Sequence, residues 1–107
     1  MAEVVWSPRA KAQLEDIVLG IAQELSVEDG LRWEAKLKDA TERLEMFPRS
    51  GKKVPRERFI VPPPYYARLR MLVVRPYVIV YDFVGAAQCN ILSVRHGRMM
   101  LEIEAAE

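Results

Sequence analysis

A chain of 107 residues, half of them apolar, has material for one core and not for a second, so a single domain spanning 1–107 is expected. Its one cysteine, Cys89, cannot form an internal disulfide, and no spacing assembles a zinc site around it and His96, the one histidine; no metal or cofactor is expected. No apolar run approaches the roughly 20 residues of a membrane span and no signal-type start opens the chain, so a soluble, cytoplasmic protein is expected, without a membrane partner.

The net charge of +1 hides an asymmetry. Residues 1–48 carry 6 Lys/Arg against 10 Asp/Glu, residues 49–100 carry 10 against 2, and three glutamates follow, Glu102, Glu104 and Glu107. A half this basic can draw in a polyanion or an acidic segment of a partner protein, although any one of these arginines is most simply a solvated side chain.

The chain opens on "EVVW", a short apolar strand, followed by "SPRA", where Ser7 suits a helix cap and Pro8 the first helical turn. Ala10, Leu14, Ile17, Ile21 and Leu25 then recur at helical spacing, with Val18 and Ala22 widening the stripe. "SVED" repeats the start signal, Ser26 capping and Asp29 standing three residues on. Trp33, Leu37, Ala40, Leu44 and Phe47 mark a second helix that ends at Pro48. Two amphipathic helices this close in sequence form an antiparallel hairpin whose apolar face needs a cover.

From Pro48 to Tyr65 the sequence "PRSGKKVPRERFIVPPPY" has no period and reads as a long loop, carrying Arg49, Lys52, Lys53, Arg56 and Arg58. Three strands complete the chain: "YARLRMLVV" from Tyr66, "YVIVYDF" from Tyr77 and "QCNILSV" from Gln88. Their short separations predict an antiparallel meander. Strict alternation puts Arg68 and Arg70 on one face of the first strand, and in the last strand it groups Leu92, Val94 and His96 against Cys89, Ile91, Ser93 and Arg95. The expected class is α+β, in the order β-α-α-β-β-β, with the helix pair on one side of the sheet. Tyr65 and Tyr66 read as loop packing, and Trp6 and Trp33 as core. Met99, Met100, Leu101 and Ile103 form either an apolar tail for a partner or a segment folded back on the sheet.

The opening "VVWSPRAKAQLEDI", the helix end "LEMFPRSGK", "LRMLVVRPYVIVYDF" and the closing "ILSVRHGR", in this order and over nearly the whole chain, resemble the RelE/ParE superfamily of toxins from bacterial type II toxin-antitoxin pairs. The resemblance implies a small growth inhibitor neutralised by a cognate antitoxin in a toxin-antitoxin hetero-oligomer. It also implies one of two targets: RelE-like members cut mRNA on the ribosome, and ParE-like members are associated with poisoning DNA gyrase. Where RelE resembles a Gly-Tyr followed by a catalytic arginine, this chain has Val78 after Pro76 and Tyr77, and no tyrosine follows Tyr81. Valine stabilises no charge. "HGR" after the last strand and Arg70 in "LR" are similar to ParE-like chains, so that reading is preferred. Under the nuclease alternative Arg70, His96 and Arg98 are the candidate catalytic groups, His96 moving protons and the arginines holding phosphate. Lys52, Lys53, Arg68 and Arg95 are candidates for gripping a target. A third reading is an inactive toxin-like binding module, favoured by the missing nuclease positions and the acidic tail. An antitoxin would be acidic where it meets the basic segment, with a helix along the apolar surface of the hairpin.

Overall fold

The computed structural model describes residues 1–85 and 87–103, and its elements follow the sequence pattern closely at first. Strand β1 (Glu3–Trp6) leads to Ser7, whose extended backbone lets its Oγ accept the Ala10 N–H at 3.1 Å, and Pro8 opens helix α1 (Pro8–Glu24). Ser26 caps α2 (Val27–Glu42) in the same way: its Oγ accepts the Asp29 N–H at 3.0 Å and donates to the Asp29 carboxylate at 2.8 Å. The hairpin closes tightly at Gly30. A Cβ there would stand 2.9 Å from the Val18 carbonyl oxygen of α1, so a larger residue forces the helices apart. After Glu42 the backbone tightens into a 3-10 turn, Arg43–Glu45, which buries Leu44 completely. Phe47, assigned to the buried stripe on spacing, is instead 64% exposed, because the tightened turn ends the helical period before it.

The sheet holds five strands in the order β1-β5-β4-β3-β2, where β2 is Lys52–Lys53, β3 Leu69–Val74, β4 Tyr77–Val84 and β5 Gln88–His96. The expected meander β3-β4-β5 is present, and two features extend it. The N-terminal strand pairs with β5 in parallel, Val4 opposite Cys89 and Trp6 opposite Ile91, and the long loop contributes β2, antiparallel to β3. The loop also holds a 3-10 turn at Arg56–Arg58.

Two apolar clusters lie on opposite sides of β4. Ile79 and Tyr81 join Cys89, Ile91, Val94, Ala10, Leu14, Leu37 and Leu44 under the helices, with Trp33 and Tyr77 at the margin. Val78 and Val80 join Leu69, Val54, Phe59 and Leu101, with Met71, Leu92, Tyr65 and Tyr66 against them. Each fully buried aliphatic side chain contributes about 1.5–3 kcal/mol relative to exposure. The second cluster is closed by chain rather than by a helix. Ile60 N–H donates to the Leu101 carbonyl at 2.9 Å, Leu101 N–H donates to that of Arg58 at 2.8 Å, and Phe59 and Leu101 form a parallel bridge. Leu101 and Ile103 thus fold back onto the loop, while Met99 and Met100 stay exposed. The glutamates Glu104 and Glu107 of the acidic tail lie outside the described residues.

Two face assignments made by strict alternation are corrected. Between Val80 and Tyr81 the β4/β5 register shifts: Val80 faces Ser93, but Tyr81 faces Ile91, leaving Leu92 as an extra residue. This bulge inverts the alternation beyond it, so that Val94 and His96 share the helix side with Cys89 and Ile91, while Ser93 and Arg95 pair with Val80 and Val78. Second, Tyr66–Arg68 form a 3-10 turn and β3 begins only at Leu69, so Arg68 and Arg70 do not share a strand face. Arg70 pairs with Tyr81 on the helix side, whereas Arg68 turns to Asp82.

Candidate functional site

The basic loop is held to the sheet by one tyrosine and one arginine. Tyr81, near the centre of β4, is completely buried on the helix side of the sheet. Its Oη accepts the Gly51 N–H at 3.0 Å and donates to the Pro48 carbonyl at 2.8 Å. Burial raises the phenol above its ordinary value, with the Gly51 hydrogen bond and the Arg70 charge pulling partly back. Arg70 completes the clamp: its Nη1 donates to the Gly51 carbonyl at 2.8 Å and to that of Arg49 at 3.3 Å. Only glycine fits at position 51, because a Cβ would lie 2.7 Å from the Tyr81 ring and 2.8 Å from the Met71 carbonyl. Three loop carbonyls, those of Pro48, Arg49 and Gly51, are therefore satisfied by side chains from the sheet. Beside the clamp, Phe47, Pro48, Arg49, Ser50 and Phe83 line a cavity of about 540 Å³, and the Arg49 guanidinium lies over the Phe83 ring at 5.5 Å.

The clamp delivers Lys52 and Lys53 to the sheet edge, both exposed. Lysines on an edge strand also discourage pairing with other chains, which is the simpler account of them. Lys53 Nζ donates to the Ala67 carbonyl at 3.3 Å. Next to it, Arg68 Nε donates to both oxygens of the buried Asp82 carboxylate, at 2.9 and 3.1 Å, and that bond with its charge holds the guanidinium above its ordinary value. The same guanidinium covers Tyr65 at 5.0 Å, and Arg56 covers Tyr66 at 5.6 Å while the Tyr66 ring stands edge-on to Phe59.

The other candidates sit at the far end of the sheet. His96 is opposite Tyr77, with its ring edge-on to the tyrosine, which is in turn edge-on to Trp33 at 5.3 Å. Its Nδ1 accepts the Arg98 N–H at 3.1 Å. The Arg98 side chain is exposed, and Arg95 lies on the opposite face with Nη2 3.5 Å from the Met99 sulfur.

Arg70 and His96 flank β4 on different sides and at positions four residues apart, Tyr81 and Tyr77. At ~3.3 Å per residue and ~4.8 Å per strand spacing, their backbones are on the order of 16 Å apart. The candidate catalytic trio is thus divided between the two ends of the sheet, His96 and Arg98 at one and Arg70 at the other. Sequence reading missed Tyr81, Gly51 and Asp82. The first looked like one more apolar position of a central strand. The other two had a legible signal: a glycine directly before an edge strand, and an aspartate inside an apolar run that requires a cation. Among the described residues no group of three or more His, Cys, Asp or Glu could hold a metal ion, and no helix is long and apolar enough to cross a membrane.

No curated protein matches the chain. Among solved structures, one described as "Chromosomal ParDE TA system from P. aeruginosa" is similar at a TM-score of 0.69 and 20% identity, covering 90% of this chain and 96% of that one, a likeness of fold. Residues 4–101 match the family described as "ParE toxin of type II toxin-antitoxin system, parDE", a span that includes both helices, every strand of the sheet, the clamp and His96; the chain belongs to the ParE toxin family.

Proposed function

We propose that this chain is a growth-arresting toxin that acts on DNA gyrase and is neutralised by an acidic cognate antitoxin in a hetero-oligomeric complex. Membership of the ParE family supports the toxin role. The observation that carries the target is the division of the nuclease candidates. General acid-base cleavage of RNA needs its proton-transfer groups and its phosphate clamp around one phosphodiester, within about 3 Å of the reacting atoms. Here Arg70 is bonded to the loop at one end of the sheet, and His96 stands at the other. Such a surface is suited to gripping, with Lys52, Lys53, Arg68 and Arg95 as the contacts offered to the target.

The test is induction in a bacterium without antitoxin, following DNA and protein synthesis by label incorporation over the first minutes. DNA synthesis is expected to stop first. Protein synthesis stopping first would remove the gyrase reading and return Arg70, His96 and Arg98 to the centre as nuclease groups. Alanine at Arg95 should abolish arrest while antitoxin capture is retained; full arrest by that variant would take Arg95 out of the target surface.

A further inference from the structure

The three cations around the 65–68 turn are set up differently from the other basic residues. Lys53 is tied by its ammonium to the Ala67 carbonyl, Arg56 lies over Tyr66, and Arg68 lies over Tyr65 with its Nε on Asp82. Each side chain is held by a different contact at or beside one short turn, yet all three residues are exposed. Less side-chain entropy is then lost when an anion arrives, and a guanidinium can fork onto phosphate through N–H groups that its contact with a ring does not use. The surroundings are predominantly basic, although Arg68 already shares its charge with the buried Asp82 carboxylate. Residues 49–70 contain seven Lys/Arg against a single acid, Glu57.

We infer that the Lys53, Arg56 and Arg68 face binds the phosphodiester backbone of nucleic acid, and that its ligand is duplex DNA. The chemistry favours a backbone over bases: one face of each tyrosine is covered by a guanidinium, which removes that plane for stacking. It also favours a polyanion over an acidic protein segment, which would need an apolar anchor here. The loop's exposed apolar residues, Ile60 and Val61, instead line a separate cavity of about 330 Å³ with Glu102 and Ile103. The inference rests on the gyrase reading only for the source of the duplex, DNA held by the enzyme; the surface itself does not depend on it.

The experiment is fluorescence anisotropy of the full-length protein with a labelled mixed-sequence duplex of about 20 base pairs, titrated from about 50 to 200 mM salt. Three phosphate contacts predict a log-log salt slope of about −2.7, and the double variant Lys53→Ala/Arg56→Ala should reduce its magnitude by about 1.8. Lys11→Ala, on exposed α1 surface, should change nothing, and both substitutions in the double variant are at exposed positions, so a thermal melt should match the parent. A labelled single-stranded RNA of the same length is the second probe. Binding of neither nucleic acid at the lowest salt, or a slope unchanged in the double variant, would overturn the surface. Binding of single-stranded RNA with no binding of duplex would overturn the assignment to DNA. Failure here with DNA synthesis still arrested first would remove this surface and leave the gyrase reading standing.

Discussion

The two faces of the sheet are closed by different means. Under the helices, two periodic stripes pack Leu14, Leu37 and Leu44 against Ile79 and Ile91. On the other face, an aperiodic loop and the segment around Leu101 cover Val78 and Val80, held by a few backbone hydrogen bonds at Arg58, Ile60 and Leu101. The helix side depends on long, repeated apolar contact, and the loop side on a small number of specific anchors. A face of the second kind opens locally at a lower cost than global unfolding.

Substitutions in each closure sharpen that contrast. Leu37→Ala, at a fully buried site between rigid elements, should cost about 2–5 kcal/mol, measured as a lower urea midpoint with an unchanged slope. Leu101→Ala, where the loop can settle into the space, should cost about 2–3 kcal/mol, and hydrogen exchange at the Ile60 amide should accelerate well beyond that at β4. Equal acceleration at both would mean that the two faces open as one unit. Tyr81→Phe leaves the Gly51 N–H and the Pro48 carbonyl without their partner and should cost about 1–3 kcal/mol.

That variant also carries a pH signature. The folded state raises the Tyr81 phenol above tyrosine's ordinary 10.0 and so holds its proton more tightly than the unfolded chain. Stability from this group is complete below about pH 10 and falls as pH rises past it. Tyr81→Phe should flatten that part of the alkaline fall. Cys89, raised by burial from 9.0, acts with the same sign from a lower pH, and Cys89→Ala should remove the earlier part. Smallest of all, Lys52→Ala should move stability by no more than about 0.5 kcal/mol while leaving the thermal melt cooperative.

The contrast between the faces also explains what the sequence could reveal. The caps at Ser7 and Ser26, the two helices and the three strands of the meander are local patterns, and they stand where the spacing puts them. The register shift at Leu92 is invisible to alternation, because nothing in "NILSV" marks which residue is extra. Arg68 departs from the strand reading of "YARL": it ends a turn outside β3 and bonds the buried Asp82, a partner 14 residues away that local spacing does not show. At the candidate site, the cations of "GKK" were legible. The clamp was not, because Arg70 and Tyr81 act on backbone carbonyls some 20 to 33 residues away in sequence, and an amide group carries no sequence signature.

The parallel pairing of β1 with β5 has a consequence for synthesis. The first strand made, at residues 3–6, finds its partner only at 88–91, so β1 cannot join the sheet, and the five-stranded order cannot be completed, until β5 has been translated. A product terminated before residue 88 would leave β1 and one edge of β4 unpaired and the helix-side core without Cys89, Ile91 and Val94, a species exposed to proteolysis. Non-local closure of this kind makes the fold respond to whether translation was completed: the residues of the clamp are all translated before Asp82, but the strand that completes the core beneath them comes only with β5.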